Sequence, residues 1–395
     1  MTHEQPDDTR RKRDALGTPR KVADRTRRAA SVDTTAAQAR YIQGRIREIV
    51  RDYPGLEQRY GDARRIIRAF RRPSFYEVSQ KCNLWCEGCY YFEDAARKSA
   101  SAEMSETAWS TFFAGERERG VSMAYLVGAE PALYPERLKA ASRNIRFGKI
   151  GTNGTIRIPD EVRFRIGVSV WGNETDDAVL RGGSVLRKAM RNYAGDPRAI
   201  MLFTLSPWNL DDINDVVQAS EDHGLKVTFS MFSPTKTYLE KLDKGAPADS
   251  SYFRLGPTRT RPVFSDDDLK KASESIRSAM QRFPGTVLFA EEYCDLITKP
   301  GPLYEMDPES GLAENCGSRI REPLRYFDAS GTARQVKCCT PDVDCTHCRL
   351  YSGGWSTLFR PTEKHLAGAS SFEGWLRMIE TVGQIFLFPY PFEAS

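Results

Sequence analysis

The densest chemistry in the chain lies in one run, Cys82-Asn83-Leu84-Trp85-Cys86-Glu87-Gly88-Cys89-Tyr90. Three cysteines stand with three and then two residues between them. Read as ligands, their thiolates hold three irons of a [4Fe–4S] cube and leave the fourth iron open. Zinc asks for four ligands, commonly in paired CxxC-type spacing, and no histidine is adjacent here. A short irregular loop is required, because no helix or strand converges all three side chains. The flanks suit such a loop. Phe75-Tyr76-Glu77-Val78-Ser79 reads as a strand running in, and Tyr90-Tyr91-Phe92 leads out.

A second cysteine set follows late in the chain: Cys316, then Cys338-Cys339, then Cys345-Thr346-His347-Cys348. The stretch 327–336 reads as a β-hairpin turning at Ser330-Gly331. Cys316, one of the adjacent pair, Cys345 and Cys348 supply four thiolates, enough for a complete cluster or for a zinc ribbon. Neighbouring residues on an extended strand point to opposite faces, so Cys338 and Cys339 do not both serve one site. Cys294 is also left over. As spare thiols, Cys294 and Cys339 are candidate catalytic residues. A buried thiol serving as a small hydrophobe is the plain alternative.

The elements that must position these residues alternate. Strand-like segments lie at 74–79, 123–127, 147–151, 165–170, 199–205, 226–232 and 286–290. Helix-like segments lie at 105–117, 135–143, 176–193, 211–223 and 266–282. This alternation predicts an α/β parallel sheet with helices outside, and places function at the C-terminal strand ends. The first cysteine loop falls at one such end. Gly128-Ala129-Glu130-Pro131, Gly151-Thr152-Asn153-Gly154 and the strand bearing Ser169 fall at others, where ordinary βα turns are the plain reading. Trp171 and Trp208 also lie just past strand ends, as pocket or core residues. The connection 233–264 is broken by Pro and Gly and carries Lys236, Lys241, Lys244, Arg254, Arg259 and Arg261. It reads as a solvated basic loop, with contact to an anionic substrate as the alternative.

Composition sets the outer limits. The chain has 395 residues, 40% hydrophobic and 11% aromatic, with a net charge of +5. No run of 18 apolar residues predicts a membrane span, and the N-terminus has no signal-like apolar region. A cytoplasmic protein is expected, and nine cysteines in a reducing compartment point to metal ligation rather than disulfides. Residues 1–72 hold 19 Lys and Arg against 10 Asp and Glu. Residues 1–33 read as a disordered basic tail, and 34–72 as two helices. No aromatic residues interleave with the basic ones as nucleic-acid binding would require, so no nucleic-acid partner is expected.

The Cys82/Cys86/Cys89 spacing, with the GAEP and TNG turns after it, resembles the radical S-adenosylmethionine (radical SAM) superfamily and its CxxxCxxC loop. Gly88 departs from the aromatic or apolar residue that many members carry before the third cysteine, and Trp85 or Tyr90 are the substitutes at hand for packing adenine. The resemblance implies a partial (β/α)6 TIM-like barrel over 73–290. It implies that Tyr90, Gly128, Ala129, Glu130, Pro131, Thr152, Asn153 and Ser169 bind SAM. Cys316, Gly331 and Cys338 match the opening of the twitch/SPASM elaboration, and Cys338 fits its spacing better than Cys339. Residues 349–395 hold no further cysteine, so the resemblance implies one auxiliary [4Fe–4S] cluster on Cys316, Cys338, Cys345 and Cys348. That makes two [4Fe–4S] clusters and SAM, with an auxiliary-cluster region over 291–350 and a C-terminal cap over 351–395 containing a helix at 372–385. The implied activity is reductive cleavage of SAM to a 5′-deoxyadenosyl radical, which takes hydrogen from a small polar substrate. A sugar, aminocyclitol or nucleoside of an antibiotic pathway is the substrate expected, with oxidation or epimerisation as the outcome. A flavodoxin or ferredoxin is the expected reductant. Modification of a ribosomal peptide, sulfur insertion, and a non-enzymatic zinc protein are the alternatives.

Overall fold

A computed structural model of the chain describes residues 20–93 and 102–392, with side chains from residue 36. Seven parallel strands form one sheet: β1 (Pro73–Glu77), β2 (Met123–Val127), β3 (Phe147–Thr152), β4 (Arg165–Val170), β5 (Ala199–Leu205), β6 (Lys226–Met231) and β7 (Arg325–Phe327). Their order is β6-β5-β4-β3-β2-β1-β7. The helices are α1 (Arg20–Asp52), α2 (Glu57–Ala69), α3 (Tyr90–Glu93), α4 (Glu106–Glu118), α5 (Pro135–Asn144), α6 (Glu174–Arg181), α7 (Leu186–Tyr193), α8 (Ile213–Asp222), α9 (Lys236–Asp243), α10 (Asp266–Arg282), α11 (Glu291–Thr298), α12 (Tyr351–Thr357) and α13 (Ala369–Phe386). The parallel α/β sheet expected from the alternation is observed, and it matches the partial barrel that the resemblance implies. No described helix is long and apolar enough to cross a membrane.

The strands are apolar because both of their faces are covered. Leu126, Ile150, Val168, Phe203 and Phe229 face the helices and are fully buried in one core. The alternate residues Tyr125, Lys149, Ser169, Leu202 and Ser230 face inward and line a central cavity. Side chains alternate with period two along each strand, so one set of residues builds the core and the other the site.

Four expectations give way. Helix α1 begins at Arg20, inside the stretch read as a disordered tail; its Arg- and Ala-rich composition favours helix. Residues 1–19 lie outside the described residues. The single helix expected over 176–193 is two, because Gly182 caps α6 in the left-handed region. Residues 286–290 make only one bridge, Val227 with Val287, before α11 begins. The seventh strand is β7 instead, paired with β1. The hairpin expected over 327–336 is consequently short. Asp328 accepts the backbone N–H groups of Ser330 and Thr332 and so fixes the turn, but the returning arm pairs only through Ala333. Tyr326 and Phe327 are committed to the sheet, with Phe327 stacked on Tyr76 at 5.5 Å.

The end of the C-terminal helix packs against β3 and β4. Lys149 Nζ donates to the Ile385 carbonyl at 3.1 Å, and Arg165 Nη2 to Leu387 O at 2.7 Å. Helix α2 braces α13 through Arg59, which binds Glu373 at 2.7 Å and Glu380 at 2.8 Å.

Candidate active site

The cysteine loop is held on all sides. Trp85 N–H donates to Arg181 O at 3.2 Å and Glu87 N–H to Leu180 O at 2.8 Å, which ties the loop to the end of α6. Ala129 N–H donates to Ser79 O and Glu130 N–H to Lys81 O, both at 2.9 Å, which ties it to the turn after β2. That turn needs Gly128: its φ is +127°, and a Cβ there would lie 2.4 Å from Ser79 O. Asn83 and Asn153 join at 2.7 Å, and Asn83 also donates to Thr155 at 2.9 Å, which ties the loop to the turn after β3. So fixed, Cys82, Cys86 and Cys89 all line the central cavity, whose volume is about 280 Å³. Burial raises all three thiols, that of Cys89 to about 12.

Gly88 has a structural cause. Its φ is +58°, and a Cβ would meet Phe232 Cζ at 3.0 Å and Tyr238 Cε2 at 3.2 Å. No aromatic residue fits there. Tyr90 lines the cavity, whereas Trp85 is 50% exposed and lies outside its lining. Of the two residues considered for adenine packing, Tyr90 is therefore the one that lines the cavity.

Glu87 was passed over in the sequence, and no spacing rule marks it. Its carboxylate is fully buried. It accepts from Tyr238 Oη at 2.7 Å and from the N–H groups of Gly256 and Arg254, both at 3.0 Å. The connection 233–264 is thus fastened to the cysteine loop, and part of it is α9, not an irregular loop throughout. Its cations are engaged elsewhere. Lys241 pairs with Glu93 and Asp249, Arg259 lies over Trp208, and Arg261 pairs with Asp243. The six basic residues of 233–264 lie outside the cavity lining. Glu87→Ala should leave three buried donors unpaired and cost about 3 kcal/mol of stability. Chemical unfolding and amide exchange over 236–261 measure it; unchanged protection of that segment would show that Glu87 does not fasten it.

Glu130 is buried and engaged: Thr152 Oγ1 donates to it at 2.7 Å, Asn153 N–H at 2.7 Å and Ala132 N–H at 2.9 Å. Burial raises its pKa against the opposing effect of those bonds. It joins the GAEP and TNG turns while still lining the cavity, as do Gly128, Ala129, Thr152, Asn153 and Ser169. Pro131 starts the short 3-10 turn behind them. Trp171 lines the cavity; Trp208 instead donates to Thr260 O.

A second missed residue is Arg181. It is 1% exposed, donates to Ser169 O at 2.7 Å and Asn153 O at 3.0 Å, and pairs with fully buried Asp177 at 3.3 Å. It also reaches Cys86 and lowers that thiol against the larger effect of burial. Its Nε has no partner among the described residues. An arginine at a helix C-terminus before Gly is also what a capping charge looks like, so its position alone does not mark it.

The second cysteine set forms its own small cavity, about 20 Å³, lined by Cys316, Cys338, Cys339, Cys345 and Cys348. Burial raises the Cys348 thiol to about 12, and Cys338, Cys316 and Cys345 raise it further as near neighbours. Gly353 leaves room there, since a Cβ would stand 2.9 Å from Cys316 Sγ. His347 is half exposed and turned to Asp344 at 3.2 Å, away from a ligand position. Cys339 lines both cavities and so lies in the wall between them. Cys294, read as a candidate catalytic thiol or a buried small hydrophobe, is buried on α11, 3.9 Å from Ser273 Oγ, and outside the lining of either cavity. The apolar face of α11 carries it into the core.

The donor sets fit iron–sulfur clusters. Each is made of thiols, and hydrogen bonds to sulfur are already in place.

Solved structures similar to the chain include Streptococcus suis SuiB bound to S-adenosylmethionine, at 15% identity and a TM-score of 0.46, covering 67% of this chain and 60% of that one. The native anSMEcpe structure with bound AdoMet is similar at 14% and 0.46, covering 76% and 84%. SuiB bound to the precursor peptide SuiA is similar at 14% and 0.46, covering 82% and 75%. The chain thus spans 60% of the length of the first of these. No family model and no curated protein matches it.

Proposed function

We propose that this chain is a radical SAM enzyme with one auxiliary [4Fe–4S] cluster. One observation carries the reading: two separate thiol sets border two adjoining cavities, with Cys339 in the wall between them. Cys82, Cys86 and Cys89 would hold the SAM-binding cluster; Cys316, Cys338, Cys345 and Cys348 would hold the auxiliary one. A reduced cluster with an open iron supplies the electron that cleaves the SAM sulfonium.

The chain's own residues bind and orient. The backbone of Gly128 and Ala129 comes close to the cavity, and Glu130 offers a carboxylate to the SAM ammonium. Arg181, rigid and buried, offers its guanidinium to the SAM carboxylate. Tyr90 offers a ring to adenine. The inner faces of β1 to β6 surround the reacting carbon and limit water around it. The substrate we propose is a small polar molecule that fits this cavity, such as a sugar, aminocyclitol or nucleoside, and the reaction an oxidation or epimerisation. A flavodoxin or ferredoxin would deliver the electron.

Anaerobically reconstituted protein, reduced in the presence of SAM and candidate small polyols, should form 5′-deoxyadenosine in step with substrate loss. Turnover of peptides alone would reject the small-molecule reading. The register of the second set has its own test. Cys338→Ala should lose about half the iron, one of two clusters, while Cys339→Ala keeps it all. The reverse result would make Cys339 the ligand.

A further inference from the structure

Lys149 lies in the middle of β3, between apolar neighbours, and points into the barrel. It is 4% exposed and lines the central cavity. Its Nζ donates to Ile385 O at 3.1 Å and stands 4.3 Å over the Phe386 ring and 4.7 Å over the Tyr351 ring. A carbonyl oxygen and two ring faces all favour the charged ammonium. Nothing on the described residues neutralises it.

The other charges lining the cavity are accounted for. Glu130 takes three internal hydrogen bonds, and Arg181 pairs with Asp177. The nearest charge acting on Lys149 is a second cation, Arg165, itself bound to backbone carbonyls. Burial first, and Arg165 second, push the ammonium's pKa well below its usual value. A buried cation without an acid beside it is costly unless a partner arrives.

We propose that the floor of the cavity is an anion subsite, in which Lys149 binds a carboxylate or phosphate group of the substrate. The inference rests on the reading above and narrows it. A cationic aminocyclitol would meet like charge at the floor, whereas a sugar phosphate, a nucleotide or a sugar acid would supply the missing counter-charge. The remaining Nζ protons are at hand to bind its oxygens, and Tyr351 and Tyr125 also line the cavity.

The test is calorimetric titration of the reconstituted, SAM-loaded enzyme with inorganic phosphate and, separately, with acetate. At least one should bind, and which one identifies the group. Lys149→Met should weaken that binding about ten- to a hundredfold, the worth of a charge-assisted hydrogen bond. Lys149→Arg should retain most of it. Lys149→Gln, which keeps a donor to Ile385 O without the charge, replaces Met if packing suffers. The subsite is refuted if neither anion binds the wild type, or if the uncharged variants bind as tightly. Iron, sulfide and SAM binding in the same samples report on the cluster reading separately, and none of them should change.

Discussion

Replacing Cys82, Cys86 and Cys89 together by alanine should leave a folded protein that keeps about half its iron and cleaves no SAM, since one of two cubanes is gone. The loop does not depend on its thiols for its shape. Trp85, Glu87 and Gly88 are held by backbone bonds to Arg181, Leu180 and Tyr252, and Asn83 by Asn153. The second thiol set has its own cavity, so its iron should survive. Iron content, absorbance and 5′-deoxyadenosine measure the outcome. A triple variant that still forms 5′-deoxyadenosine would place the chemistry elsewhere.

The second large effect belongs to Arg181. Arg181→Met removes the one cation paired with Asp177, whose side chain is fully buried and otherwise accepts from Trp171 N–H at 2.9 Å. An unpaired buried carboxylate should cost about 3–5 kcal/mol. The same change removes donors to Asn153 O and Ser169 O, on the two strand ends proposed to hold SAM. Stability should therefore fall and SAM affinity with it. Arg181→Lys separates the two effects: it keeps a charge for Asp177 but loses the fork that reaches both carbonyls. If Lys restores stability and SAM affinity alike, Arg181 acts only as a counter-charge.

The strands were legible because each is a short apolar run bounded by Gly, Pro or Asn; β2, β4 and β5 fall where the pattern places them. The same pattern did not say which run pairs with which edge. Val287 lies in a run as strand-like as Tyr326, yet only Tyr326 belongs to a ladder. That choice is made by long-range packing, here the stacking of Phe327 on Tyr76. Cysteine spacing marked both thiol sets. It could not show Glu87, Arg181 or Lys149, whose importance comes from being buried charges, and burial of a charge leaves no local signature. Lys149 carried one faint signal: a lysine in mid-strand, in register with Tyr125 and therefore on the inner face. Cys294 shows the limit of residue type: a spare thiol suggested chemistry or core packing alike, and its helix face places it in the core.

The central claim is that both thiol sets hold iron–sulfur clusters and that the first one serves SAM. Iron, sulfide and zinc analysis after anaerobic reconstitution tests it most directly. Two cubanes predict about eight irons and as many sulfides per chain. Zinc with no acid-labile sulfide would contradict the account.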